Sequence, residues 1–394
     1  MSPQKDNQSI IHQVIPNTTR LRLAIVWSIV VLFKVWGESL LESSITAPIA
    51  LFAFLILLFT IIGAAFGVVK EADQLAHKLG EPYGTLILTL SIVAIEVILI
   101  AAVMVGPGES PTIGKDSIFS VMMIIMNLIV GICILVGGLR YGEQEYNAQG
   151  TMSYIAMIIL LGSISMILPN FIEGAGGGMF SSLQAITLSF VIIILYGVFL
   201  FFQIKSYKHL YVQPPKGQMS IRFEERTTTD LPARENNKQT ISEKKEIIMR
   251  SVSLLLMILP IVLLSHNMAV VVDYGINAAN LPVSLGGVII AIIVFTPESM
   301  TAIKAAYNNE FQRTINLCHG AFLSTVGLTV PCVLIIGLIT GKTVLFGLTA
   351  AETILFIITM LLSITTFLGK RTTSMTGAMH LALFIIYVML VFNP

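Results

Sequence analysis

Thr85–Val105 reads TLILTLSIVAIEVILIAAVMV, and Val283–Ile303 reads VSLGGVIIAIIVFTPESMTAI. Each is an apolar run of about 20 residues, the length that crosses the hydrocarbon core of a bilayer. Each holds one glutamate, Glu96 and Glu298. A carboxylate near the bilayer centre costs roughly 2.5–3.5 kcal/mol on insertion scales, so such a group faces a partner or a water-filled cavity and marks function. Glu298 follows Glu96 by 202 residues in a chain of 394, about half its length. That spacing predicts one device built twice.

The rest of the chain fits a membrane setting. Hydrophobic residues make up 55 % and charged residues 11 %, against roughly 25 % charged in an ordinary soluble domain. The composition predicts an all-α polytopic membrane protein and excludes a water-soluble globule. Apolar runs between charged breaks give eleven spans, centred near Ile29, Leu57, Ile95, Leu128, Leu160, Ile193, Leu259, Ile292, Thr329, Phe356 and Phe384. The first is the weakest, with Lys34 near its end; a snorkelling lysine accounts for that. Cys133, Cys318 and Cys332 fall in apolar runs without metal-ligand spacing and read as small core hydrophobes. Residues 1–19 are polar, which does not predict a cleavable signal peptide.

Lysine and arginine set the orientation. With a cytoplasmic N-terminus, 20 of the 23 basic residues fall inside and three, Lys34, Lys115 and Lys342, fall outside. Positive charge concentrates on the cytoplasmic side of membrane proteins, so the bias predicts N-in, C-out. The expected organisation is a cytoplasmic tail over 1–20, a first span over 21–43, a five-span half over 44–203, a cytoplasmic basic loop over 204–250 and a second five-span half over 251–394. The loop carries ten basic and six acidic residues, Pro214-Pro215 and few apolar side chains, which reads as a largely flexible linker.

With the first span set aside, five spans before the loop and five after it place the two halves in opposite orientations. Glu96 then lies on the second span of the first half and Glu298 on the second span of the second. The following spans bring Asn127 and Ser324, Thr325 and Thr329 to mid-depth. Inverted repeats with a site at their midplane junction are the architecture of many secondary transporters. Near Glu298, Pro297 has no N–H and deprives the Ile293 carbonyl of its helical partner; that carbonyl, in a helix broken beside a cavity, is a candidate cation ligand, with the Thr296 hydroxyl beside it. Thr89 and Ser91 lie one to two turns before Glu96. Glu352, about eight residues into the tenth span, is a candidate proton-path group. Lys115 and Asp116 read as a solvated pair at the outer mouth, and His319 and His380 as structural residues.

These residues resemble the calcium/cation antiporter superfamily, in particular its cation/proton exchanger branch and the bacterial Ca²⁺(Na⁺/K⁺)/H⁺ antiporters within it. The resemblance rests on GEPYGTLILTLSIVAIEVILI at 80–100, VFTPESMTAIKAA at 294–306 and NLCHGAFLSTVGLTVPCVLIIG at 316–337. It implies that the repeat segments lie at about 80–140 and 281–340, that Glu96 and Glu298 bind cation or proton, and that Asn127 and Ser324 adjoin the site. It also implies a bacterial inner membrane. The chain departs from the family pattern in having neither Gly nor Asn before its glutamates, where Ile92-Val93-Ala94-Ile95 and Val294-Phe295-Thr296-Pro297 stand instead. Ser299 follows the second glutamate, where relatives often carry histidine. Met123, Met126 and Ala321 stand at hydroxyl positions. Ca²⁺ takes 6–8 oxygens, so backbone or water would complete its shell.

The expected function is export of Ca²⁺ in exchange for H⁺ by alternating access, with Na⁺(K⁺)/H⁺ exchange as the alternative and a cation channel as a distant one. Two facing carboxylates repel each other until a cation or protons neutralise them, and that competition is antiport. No nucleophile–base pair or metal-ligand cluster predicts an enzyme, and no cofactor is expected. The partners are cations, protons and the lipid bilayer, with no nucleic acid and no requirement for an oligomer. A reporter fused after Pro394 should signal from the outer side; a cytoplasmic signal refutes the orientation.

Overall fold

A computed structural model describes residues 16–41, 45–79, 83–106, 110–173, 176–214 and 241–393. Most of the predicted tail and residues 215–240 of the predicted basic loop lie outside the described residues.

Among the described residues there are eleven long helices, and every predicted span centre falls inside one. They are α1 (Asn17–Leu41), α2 (Ala47–Leu79), α3 (Tyr83–Val105), α4 (Ile113–Tyr141), α5 (Ala148–Asn170), α6 (Ser182–Ile204), α7 (Ile241–Ala278), α8 (Leu285–Tyr307), α9 (Phe311–Thr340), α10 (Ala350–Phe367) and α11 (Ser374–Phe392). Nine are long and apolar enough to cross a membrane; α1 is not among them, and the apolar stretch of α3, Thr89–Val105, is shorter. Helix α7 begins at Ile241, inside the stretch read as loop. In hydrocarbon every backbone N–H and C=O must be satisfied within the segment, and the helix does this. The ends carry their own partners. Ser181 and Gln184 cap α6 reciprocally, as Thr349 and Glu352 cap α10. Gly341, at a φ of 67°, closes α9 in the left-handed region.

After α1, the halves are α2–α6 and α7–α11, in opposite orientations. Helices α2 and α7 pack along each other, with α1 across both; the Trp27 Nε1–H donates to the Leu256 carbonyl at 3.1 Å. At the centre, α3 and α4 of the first half pack against α8 and α9 of the second. Helices α4 and α9 are the most buried spans, while α6 and α11 turn most of their surface outward. A short clasp joins the halves at one end: β1 (Gln144–Glu145) pairs antiparallel with β2 (Arg371–Thr372), and Arg371 reaches Glu143 and Glu145 at 2.9 Å each.

Lipid tails are as apolar as leucine, so membrane helices associate through close packing at small residues. Gly287 of α8 lies against the backbone of α4, where a Cβ would come within 2.5 Å of Asp116 C and Ser117 N. Gly131 and Gly377 bring α4 and α11 together in the same way: a Cβ on Gly377 would sit 2.8 Å from the Gly131 carbonyl oxygen. Backbone cannot give way as a flexible side chain can. Gly287→Val should therefore separate α8 from α4 at a cost of about 1–3 kcal/mol or more, seen as a lower melting temperature in detergent; an unchanged melt contradicts this packing.

Candidate cation site at the junction of the halves

The central helices are not uniform. Helix α4 widens into a π-helical turn over Met123–Ile129, and α9 does so over Thr325–Thr329. Such turns occur often at functional sites, because the wider winding displaces side chains and loosens the carbonyl ladder. In α9 the cause is local: Pro331 has no N–H to offer the Gly327 carbonyl, and Gly327 is pressed against the Tyr196 ring. The two turns begin 202 residues apart, the same step that separates Glu96 from Glu298.

Glu96 is fully buried on α3. Its Oε2 accepts two hydrogen bonds at 2.9 Å, from the hydroxyls of Thr325 and Thr329 on the widened turn of α9. Its Oε1 is buried with no hydrogen-bond partner. Glu298, on α8, is part-buried; its Oε2 is also buried without a partner, and its carboxylate is close enough to Glu96 to interact electrostatically. A cavity of about 310 Å³ reaches Glu298 and Ser324 from one side. Tyr154, Tyr196 and Tyr211 line it, with Lys208 and Arg313 toward its mouth, on the side that the basic residues assign to the cytoplasm.

The other predicted residues are placed as follows. Ser324 lines the cavity, while its hydroxyl donates to the Ala321 carbonyl at 2.7 Å. The Thr296 hydroxyl donates to the Ile292 carbonyl and that of Ser91 to the Ile87 carbonyl, each within its own helix. Ile293 is buried, but α8 runs through Pro297 as a continuous helix and does not break beside it. Asn127 lies on the widened turn of α4 and is bound elsewhere: its Nδ2 donates to Thr359 Oγ1 at 3.0 Å and lies 3.6 Å from Met123 Sδ, and its Oδ1 meets His380 Nδ1 at 3.2 Å. Since an amide oxygen only accepts, that contact places the proton on Nδ1 of the imidazole.

Glu352 stands in the first turn of α10 and not eight residues inside it. Its carboxylate holds the ammonium of Lys115 at 2.9 and 3.2 Å, and Asp116 holds the same ammonium at 3.2 Å. Lys115 and Asp116 are buried, not solvated. Thr112 donates to Asp116 at 2.7 Å, and Ser120 meets the Tyr387 hydroxyl at 2.8 Å. This cluster ties α4 to α10 and α11 at the end opposite the first cavity, beside a second cavity of about 490 Å³ that it shares with the Pro282–Ser284 approach to α8. The direct partners of Glu96, Thr325 and Thr329, were visible in the sequence only as mid-depth hydroxyls; the 202-residue step was the signal that pairs them with Met123 and Asn127.

Two oppositely oriented five-helix halves around a pair of interior carboxylates define a multi-pass membrane transporter of the inverted-repeat class. The model of the sodium/calcium exchanger protein family matches residues 49–205 and 250–393, and the chain belongs to that family. It is 34 % identical to the sodium-potassium/proton antiporter ChaA of Escherichia coli (strain K12), over 93 % of this chain and 94 % of that one. Two solved structures share the fold. Native YfkE is 19 % identical, with a TM-score of 0.70 over 95 % of this chain and 100 % of its own. The H⁺/Ca²⁺ exchanger CAX is 13 % identical, with a TM-score of 0.68 over 95 % of this chain and 89 % of its own. The protein is thus a cation exchanger of the membrane, not an enzyme.

The hydroxyls divide into those that meet Glu96 across the junction and those held by their own helix. Thr329→Val should raise the cation concentration at half-maximal transport about tenfold, corresponding to ~1.4 kcal/mol of binding. Thr296→Val should leave it nearly unchanged. Equal effects of the two substitutions on transport kinetics in vesicles contradict this division.

Proposed function

We propose that the protein exchanges a cation for protons by alternating access, with Glu96 and Glu298 as the groups for which cation and proton compete. The observation that carries this reading is the pair of carboxylate oxygens, Glu96 Oε1 and Glu298 Oε2, buried at the junction of the halves without hydrogen-bond partners. A buried polar group without a partner costs free energy, and more so when it is charged. A proton or a cation removes that cost, and only one of them can occupy a given oxygen at a time. Glu298 faces the cavity that opens on the Lys208 and Arg313 side, where cargo from the cytoplasm can reach it, while Lys115, Asp116 and Glu352 tie the helices together at the far end. This is an inward-facing arrangement. The halves exchange it for the outward-facing one once the carboxylates are neutralised.

The site suits a monovalent cation, Na⁺ or K⁺. Such an ion neutralises one carboxylate and leaves the other to a proton, and of the two site glutamates it is Glu96 that meets side-chain hydroxyls among the described residues, both from α9. The name carried by the relative of 34 % identity, a sodium-potassium/proton antiporter, supports the same reading. Export of Ca²⁺ against H⁺ is the second reading: two carboxylates match its charge, and backbone carbonyls and water would supply the remaining oxygens. We place the protein in a bacterial inner membrane on its likeness to a bacterial antiporter, with the N-terminus cytoplasmic on the distribution of its basic residues.

Reconstitution in proteoliposomes with an imposed pH gradient tests the assignment. Proton movement should follow added Na⁺ or K⁺, and more weakly Ca²⁺. Glu96→Gln and Glu298→Gln should each abolish it while the protein remains monodisperse in detergent. Cation-driven proton flux retained in both variants would falsify the assignment, and a saturable current without a pH gradient would make the protein a channel.

A further inference from the structure

The two halves of the site are equivalent in backbone and unequal in chemistry. A step of 202 residues carries Glu96 to Glu298, Met123 to Thr325 and Asn127 to Thr329, and a widened turn begins at Met123 and again at Thr325. Each glutamate-bearing helix packs against the widened turn of the opposite half: α3 against Thr325–Thr329 and α8 against Met123–Ile129. On one side of the pseudo-two-fold axis, two hydroxyls meet Glu96. On the other, the corresponding positions hold a thioether and an amide. The amide is fully engaged by Thr359 and His380. The thioether sulfur lies 3.6 Å from Asn127 Nδ2 and 3.7 Å from Thr359 Oγ1, so it occupies the donors nearest to it as well. Glu298 Oε2 has no partner.

We propose that Met123 is a specificity-determining residue: it withholds from Glu298 the oxygen that Thr325 gives to Glu96, and so turns the site against divalent cations. The chemistry is that of hard and soft ligands. Alkali and alkaline-earth cations take oxygen, and a thioether is a poor ligand for them. Ca²⁺ needs 6–8 oxygens, so it loses most when one side of the site supplies only a carboxylate. A monovalent ion bound mainly through one carboxylate and its two hydroxyl neighbours loses little. Met123 is buried completely within α4, so its sulfur acts inside the protein and not at the lipid surface.

The inference rests on the cation/proton exchange proposed above, and its test separates the two. Wild type, Met123→Thr, Met123→Ser and Met123→Leu are reconstituted under the same pH gradient, and exchange of ⁴⁵Ca²⁺ and of Na⁺ is measured for each. Met123→Thr should raise the ratio of Ca²⁺ to Na⁺ exchange, as kcat/KM, by about tenfold, a differential binding of ~1.4 kcal/mol. Met123→Ser, smaller and carrying the same oxygen, should shift the ratio in the same direction and decides the matter if the threonine variant does not fold. Met123→Leu, of similar size but without an oxygen, should leave the wild-type ratio. A ratio that stays at the wild-type value in whichever oxygen-bearing variant folds, or that rises equally in Met123→Leu, overturns the role of Met123. Absence of any cation/proton exchange in wild type overturns the functional reading instead.

Discussion

The rest of this structure depends on keeping two carboxylates inside a membrane. Glu96 and Glu298 cannot face lipid, so the helices that carry them must be walled by others. Helix α3 is packed by α2, α7, α8 and α9, and α8 by α3, α4 and α9. The long α2–α7 pair supports this centre from outside, while α6 and α11 form the outermost layer. Close approach at Gly287 and at the Gly131–Gly377 contact has the same origin. Where lipid supplies no hydrophobic drive between helices, backbone must approach backbone for the bundle to hold.

Much of this was legible because it depends on periodic or compositional signals. The eleven helices follow from apolar runs, the opposed halves from an odd number of spans in each, and the two buried glutamates from their presence within those runs. What was not legible depends on pairs far apart in the chain. Lys115 reads as a solvated lysine until Glu352, 237 residues later, is placed against it. Asn127 reads as a ligand because it lies at mid-depth, but His380 and Thr359, more than 230 residues away, claim both ends of its amide. The Ile293 carbonyl reads as a ligand on the condition that α8 breaks beside a cavity; α8 runs on through Pro297, so that condition is not met, although the proline still offers that carbonyl no N–H. The widened turns were not foreseen either, although Pro331 announces the one in α9. No proline stands within Met123–Ile129.

Symmetry of backbone and asymmetry of side chains have different consequences. The repeated backbone suits the proposed alternating access, in which inward- and outward-facing arrangements would be two settings of the same packed halves. On the proposed reading, the unequal side chains decide what is carried. Glu96 is held in place by two hydroxyls from the opposite half, whereas Glu298 faces the cavity and has no such hold. On the proposed reading, cargo entering from the Lys208 and Arg313 side would meet first Glu298, whose Oε2 has no hydrogen-bond partner among the described residues, with the clamped carboxylate behind it. The end opposite the first cavity is closed by a buried lysine between two carboxylates, an arrangement in which loss of the lysine leaves two carboxylates without their counter-charge. In the proposed cycle, opening that end would separate Lys115 from at least one partner, a step that neutralisation of Glu96 and Glu298 would favour by removing the repulsion at the centre. In the proposed cycle, coupling between the cation site and the far closure would need no separate device, since one helix, α8, carries Glu298 near its middle and rests on Asp116 through Gly287 in its first turn.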